Sequence, residues 1–233
     1  TTMFNGVSDF YNGVATQSLR FDDGSSAYLT RTPSSASNRR TFTFSAWIKR
    51  SHLDADNVGT SNDTPIFSAG SNGQPSDFFR TLSQLTAGAN ILQLYANPSG
   101  STDYSEETDA KIRDTSAWYH IVMAVDSTQG TAGNRVKFYI NGTLQTAVGQ
   151  HYAQIPQNND FHFNEDVAQE IGRNAGNTAR YCDGYMAEVN FVDGTQYAAS
   201  DFGETKNGIW IAKAPNVTYG TEGFRLQLSL IHI

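Results

Sequence analysis

Cysteine is nearly missing from this chain. Cys182 is the single one among 233 residues, so neither an intramolecular disulfide nor a cysteine-based zinc site can be built, and Cys182 itself reads as a small apolar packing residue. Positive charge is scarce too. Sixteen Lys and Arg against 23 Asp and Glu leave a formal net charge of -7, which removes the basic footprint that nucleic-acid binding needs and makes an anionic membrane surface a poor partner. No apolar run is long enough to span a bilayer as a helix, and no signal-peptide pattern opens the sequence. Helical periodicity is nowhere sustained. G-x-S-x-G, H-E-x-x-H and a phosphate-cradling glycine loop are absent as well.

What the chain does have is aromatic residues and turns. Its 14 Phe, 11 Tyr and 3 Trp make 12% of the sequence, a profile that suits half-buried pleated surfaces. Turn signals recur between short alternating runs, the signature of an antiparallel sandwich or barrel, and the length suffices for one large all-β domain with a substantial core. Phe42, Phe44, Ala46 and Ile48 alternate with Thr43, Ser45, Trp47 and Lys49, which predicts a strand with one core face. Trp118 to Val125 is apolar on both faces and reads as a central strand covered on each side. Trp47 and Trp118 are expected to be largely buried on adjacent strands. Asn141-Gly142 lies between two alternating runs, expected as strands at 135–140 and 143–148, and predicts a type I′ hairpin, a turn with positive φ at both central positions. Further strands are expected at 65–69, 78–85, 91–95, 167–172 and 184–192, with 18–21 and 27–30 as a pair around the DDGSS turn. Four polar loops interrupt the scaffold: Ser51 to Thr64, Asn97 to Thr115, Asp126 to Asn134 and Gly149 to Asp166.

Three segments carry a family resemblance: FTFSAWIKR (Phe42 to Arg50), WYHIVMAVD (Trp118 to Asp126) and IGRNAGNTARYCDGYMAEVNFVDGTQYAASDF (Ile171 to Phe202). Their order and spacing resemble the laminin-G-like, concanavalin A-like jelly-roll family over roughly Ser18 to Ser200. The resemblance implies a two-layer antiparallel β-sandwich and a lectin-like or adhesive role. The pairing of Ser18 to Arg50 with DGYMAEVNFVDG and the DFGE and GIW that follow is similar to tail-fibre and other virion structural proteins of marine bacteriophages. That likeness implies a module displayed on a particle outside the cell, with a host-surface glycan or other virion proteins as partners and oligomers formed through regions beyond this sequence. The expected division is a polar lead-in at 1–17, the jelly roll at 18–200, and a connecting segment or the start of a second module at 201–227. The last six residues, LSLIHI, match a translated sequencing-library adapter, so 228–233 reads as read-through on a metagenomic fragment.

The same sandwich hosts glycan hydrolases, whose paired carboxylates sit on one strand as E-x-D-x-x-E. The nearest match here is Glu188, Asn190 and Asp193, and because Asn190 cannot ionise, no enzyme is expected. His151 and His162 share a loop with Asp160 and Glu165, but their spacing matches no metal-ligand motif. Some laminin-G-like domains hold calcium at a loop rim, and the acidic residues Asp103, Glu106, Glu107 and Asp109 are the candidate ligands; the alternative is no cofactor. Sugar binding pairs an aromatic platform with amide or carboxylate hydrogen-bonders. That mixture occurs at Tyr152, Asn158, Asn159, Asp160 and Phe161, and again at Arg173, Asn174, Asn177, Arg180 and Tyr181. Three roles stay open: host-glycan binding, a structural virion spacer or decoration domain, and glycan cleavage.

Overall fold

The computed structural model describes residues 14–53, 64–82, 90–145 and 148–228. Most of the lead-in, most of the first polar loop, the end of the strand expected at 78–85 and all of the terminal six except Leu228 lie outside the described residues. Two seven-stranded sheets face each other. The first is built from β1 (Leu19–Phe21), β3 (Thr41–Arg50), β8 (Tyr119–Asp126), β9 (Val136–Ile140), β10 (Thr143–Leu144), β15 (Gly184–Asp193) and β18 (Phe224–Leu226). Its order is β1-β15-β3-β8-β9-β10, with β18 also on β15. The second runs β11 (Val148–Gly149), β7 (Tyr104–Lys111), β6 (Ile91–Ala96), β5 (Ser76–Leu82), β4 (Thr64–Gly70), β12 (Ala168–Ile171) and β2 (Leu29–Arg31). Two small hairpins complete the fold: β13 (Arg173–Asn174) with β14 (Asn177–Tyr181), and β16 (Gly203–Lys206) with β17 (Ile209–Ala212). All these strand pairs are antiparallel, and no helix of the described residues is long and apolar enough to cross a membrane.

Alternation sorts the side chains as expected. Phe42, Phe44, Ala46 and Ile48 of β3 point into the space between the sheets, where phenylalanines interlock. Phe67 stacks on Phe44 at 5.0 Å and on Phe163 at 4.9 Å, and Phe42 meets Phe161 edge-on at 5.3 Å, all within the favourable range for ring pairs. On β8, Ile121, Met123 and Val125 face this core, while Val122 and Ala124 face outward into a second apolar cluster with Val192, Ala199 and Phe202. That makes β8 a strand covered on both faces. Asn141 (φ 47°) and Gly142 (φ 79°) form the hairpin turn between β9 and β10.

Several expectations change. β1 and β2 are not a hairpin: β1 pairs with β15 in the first sheet and β2 with β12 in the second, so the DDGSS turn is a corner between sheets. The run expected as one strand at 143–148 also splits, β10 staying in the first sheet and β11 crossing to β7. Within the Asn97 to Thr115 loop lies the strand β7, which pairs with β6. The segment expected at 201–227 as a connection or the start of a second module carries three strands: β16 and β17 lie by the outer face of the first sheet, where Trp210 joins the second cluster, and β18 pairs with β15. Trp118 precedes β8 and is 37% exposed, and Trp47 is only partly buried. Trp47 pairs with His120, so by the period of two both tryptophans lie on the outer face, opposite the inward Ile48 and Ile121.

Candidate functional site

The two sugar-binding clusters read from sequence are largely taken apart by the fold. Of the first, Asn158 to Phe161 anchor a loop. Phe161 is fully buried against Phe42. Asn159 is buried and its carbonyl accepts the Ser127 hydroxyl at 2.8 Å. Asp160 receives Arg40 through Nε at 2.7 Å, and that hydrogen bond holds its carboxyl below the ordinary value. Asn158 is an exposed left-handed residue (φ 60°). Tyr152 is exposed, and its ring leans edge-on against Tyr95 at 5.7 Å. Its backbone is pinned by a hydrogen bond from its N–H to Ser105 Oγ at 3.1 Å.

The second cluster divides as well. Arg173 is committed to Glu170, with Nε to Oε2 at 2.6 Å, and its guanidinium lies 3.6 Å from the centre of the Tyr28 ring. Tyr181 joins this group, its ring 6.2 Å from Tyr28. Asn174, Asn177 and Arg180 face a different way. With Ser76, Phe78, Tyr95, Asn97 and Gly176 they line a shallow recess of about 140 Å³ over the outer face of the second sheet. β5 and β6 position its floor. Phe79 and Leu94 point into the core, so their neighbours Phe78 and Tyr95 point out, and these two rings stack at 4.4 Å with 11° between planes. The Arg80 guanidinium sits 4.5 Å from the centre of Phe78. Asn174 Oδ1 accepts the backbone N–H groups of Gly176 (3.0 Å) and Asn177 (3.2 Å), fixing the turn that overhangs the floor.

One predicted metal ligand joins this recess. Asp103 accepts the Tyr95 hydroxyl at 2.5 Å and Asn97 Nδ2 at 2.9 Å, and burial together with that carboxylate pushes the Tyr95 phenol above its ordinary pKa. Beneath it, the fully buried Asp77 accepts the backbone N–H of Asn97 at 2.9 Å and that of His162, and burial raises its pKa to about 6.

Asp103, Glu106, Glu107 and Asp109 do not form a metal cluster. Because β7 is a strand, neighbouring carboxylates point to opposite faces. Glu107 Oε1 accepts Gln93 Nε2 at 2.5 Å on the outer face of the second sheet. Glu106 turns into a separate cleft of about 340 Å³ beside Gln150 and Gln154, where burial raises its pKa. Asp109 is exposed. The carboxylates that do converge are Asp22, Asp23 and Asp183, with ligand atoms within 4.8 Å of one another. Phe21 pairs with Gly184, so the residues just beyond that pair, Asp22 and Asp183, meet. Among the described residues this is the group that could hold a cation.

Glu188, Asn190 and Asp193 are each hydrogen-bonded to other parts of the fold. Glu188 sits at a β-bulge with φ 47° and binds Arg225 at 2.8 Å. The bulge shifts the phase of β15 so that Met186, Val189 and Phe191 all face the core. The Asn190 amide accepts Tyr219 Oη at 2.6 Å, and Asp193 accepts the Asn164 amide at 3.0 Å and the Glu222 N–H at 3.2 Å.

Sequence reasoning missed a larger feature. All three tryptophans of the chain, Trp47, Trp118 and Trp210, line one cleft of about 470 Å³ on the outer face of the first sheet. His120 holds the arrangement together. Its ring is stacked against Trp47 at 5.1 Å and against Trp210 at 5.9 Å. Trp210 Nε1 donates to His120 Nδ1 at 3.0 Å; an indole N–H is a donor only, so the imidazole proton resides on Nε2, which donates to Ser45 Oγ at 2.9 Å. Burial lowers the His120 pKa to about 3, so the ring is neutral.

A family comparison agrees with this architecture. Residues 23–200 match the family Laminin_G_3, described as the concanavalin A-like lectin/glucanases superfamily, and the chain belongs to that family. No curated protein matches the chain. Among solved structures, it is similar to a tailspike protein of an Escherichia coli O157:H7 bacteriophage, with a TM-score of 0.53 and 15% identity over 79% of this chain and 23% of the tailspike. Mouse laminin α1 domains LG4-5 give 0.51 and 10% over 91% of this chain and 47% of theirs. A heptameric pentraxin of Limulus polyphemus gives 0.49 and 17% over 85% and 84%. The chain thus spans about a quarter of the tailspike and about half of the laminin fragment. These likenesses concern the fold.

Proposed function

We propose that this domain is a non-enzymatic carbohydrate-binding module that mediates adhesion, displayed on the surface of a virion as part of a tail-fibre-like protein. The observation that carries the reading is the recess around Tyr95. It brings the stacked Phe78 and Tyr95 rings, the exposed Tyr152 ring beside them, and the side chains of Asn97, Asn174, Asn177 and Arg180 to one place. Apolar ring surface beside several amides is what a sugar asks for, because its C–H face packs on a ring while its hydroxyls need directional partners. At about 140 Å³ the recess lies below the roughly 300–1,000 Å³ usual for drug-sized ligands, which suits one terminal sugar unit bound weakly. Useful adhesion then comes from repeated display, since linked copies gain avidity without new contacts.

A glycan array probed with a multimerised form of the domain tests this. Binding is expected to one set of terminal sugars, to weaken strongly in Tyr152→Ala, and to persist in Tyr181→Ala, which belongs to the Arg173–Tyr28 group. Failure of the multimer to bind any glycan or bacterial surface would leave the structural-spacer role in its place.

A further inference from the structure

We propose that the three-tryptophan cleft on the outer face of the first sheet is a second binding site, for a stretch of uncharged hexopyranose polysaccharide. The proposal stands on different residues from the Tyr95 recess and does not need that recess to bind anything.

Four observations carry it. First, the lining is Ala15, Thr16, Gln17, Ser18, Ala187, Ile211, Ala212 and the three indoles. None of these side chains is ionisable, in a protein of net charge -7, so nothing here compensates a charged ligand. Second, the cleft is open although it holds the largest aromatic surfaces of the chain, with Trp118 37% exposed. Indole surface left in water is a source of binding free energy when a ligand covers it.

Third, the platform is built in advance. His120 fixes the Trp210 ring through the indole hydrogen bond and stacks on Trp47. Two glycines also pack closely on Trp210: a Cβ on Gly142 or on Gly203 would come within 2.5 Å of the indole. A ligand meeting fixed rings loses less ordering entropy than one that must arrange them. Fourth, the polar side chains of Thr16, Gln17 and Ser18 sit at the same cleft and supply donors and acceptors for hydroxyls. A peptide fits less well. Trp47 lies on β3, which is hydrogen-bonded on both sides, to Ala187 and to His120, so this strand offers no free edge for a peptide ladder. At about 470 Å³ the cleft is more than three times the recess, room for several linked sugar units.

Because every tryptophan lines this cleft, intrinsic indole fluorescence reports on it and the Tyr95 recess is nearly silent. Cellohexaose, maltohexaose and mannohexaose are titrated against the domain, with hexagalacturonate as the charged comparison and decaproline as the peptide comparison. At least one neutral hexasaccharide is expected to shift the emission saturably and to protect the indoles from acrylamide quenching, with hexagalacturonate giving no shift. Trp118→Ala, at a residue 37% exposed, is expected to weaken that binding about tenfold or more, while Tyr152→Ala leaves it unchanged. No saturable response to any neutral hexasaccharide overturns the proposal, as does an equal response in Trp118→Ala. A shift produced by decaproline alone would make this a peptide site. Concentration-dependent dimerisation in sedimentation velocity, abolished by Trp118→Ala, would make it an interface with a second copy.

Discussion

Acidification should destabilise this protein through His120 in a way that can be isolated. The imidazole is 1% exposed and neutral, with a pKa lowered to about 3 by burial, against about 6.5 in an unfolded chain. For a base whose folded pKa is depressed, the unfolded state binds the proton first. Its stabilising contribution is therefore complete above about pH 6.5 and is lost progressively as the pH falls toward 3. Each pH unit inside that window costs about 1.4 kcal/mol, so between pH 7.5 and pH 5 the loss should reach about 2 kcal/mol. Asp77 works in the opposite direction. Burial raises its pKa to about 6, so the folded state holds that proton more tightly and gains stability as the pH falls from about 6 toward the unfolded value near 4. The wild-type curve alone is consequently a partial cancellation. Urea unfolding of the wild type and of His120→Phe at both pH values separates the two. The variant loses the Trp210 and Ser45 hydrogen bonds and is less stable throughout, but it keeps Asp77 and lacks the His120 slope. The stability gap between the two proteins should narrow by about 2 kcal/mol from pH 7.5 to 5. A gap that stays constant would refute a buried neutral imidazole and the indole hydrogen bond that fixes its tautomer.

Other substitutions test the frame around the sites. Gly142→Val places a β-branched side chain at φ 79° and within 2.5 Å of the Trp210 ring, and thermal unfolding should show a loss of about 1 to 3 kcal/mol. Phe67→Ala removes a ring that stacks on Phe44 and Phe163 and meets Phe191 at 5.1 Å, for an expected cost of about 3 to 5 kcal/mol in urea unfolding. Trp118→Ala, at a residue 37% exposed, should cost about 1 kcal/mol by the same measurement, well short of a buried tryptophan.

The inner faces of the sheets were legible because alternation is a local property. Phe42, Phe44, Ala46 and Ile48 lie where a period of two puts them, and the two-sided covering of β8 follows from Ile121 to Val125 having no polar face. Pairing partners were hidden, since they depend on residues far along the chain. β1 and β2 flank one short turn and look like a hairpin, yet each finds its partner about 140 or more residues later, in a different sheet. β7 looked like a loop because its sequence, YSEETDAK, is polar on both faces; its burial rests on hydrogen bonds such as Gln93 to Glu107. The candidate residues suffered for the same reason. Composition grouped Asn158 with Tyr152, whereas the recess takes Tyr152 beside Tyr95, Asn97 and Asn177 from two other parts of the chain. A tryptophan site made from residues 47, 118 and 210 has no signal in any single window.

β15 shares one edge between the two ends of the sandwich. β1 occupies the half from Gly184 to Met186 and β18 the half from Val189 to Phe191, with the bulged Glu188 between them. Both run antiparallel to β15, so Leu19, where the chain comes in, sits opposite Met186, and Leu226, where it goes out, sits opposite Val189. Incoming and outgoing chain are thus neighbours at the middle of a single strand. Mechanically the domain is a pendant and not a link: tension along a longer polypeptide would cross this narrow junction without running through the aromatic core. Under load the three-residue pairings of β1 and β18 would peel first, while the strands that carry Tyr95, Phe78 and Trp47 stay out of the line of force.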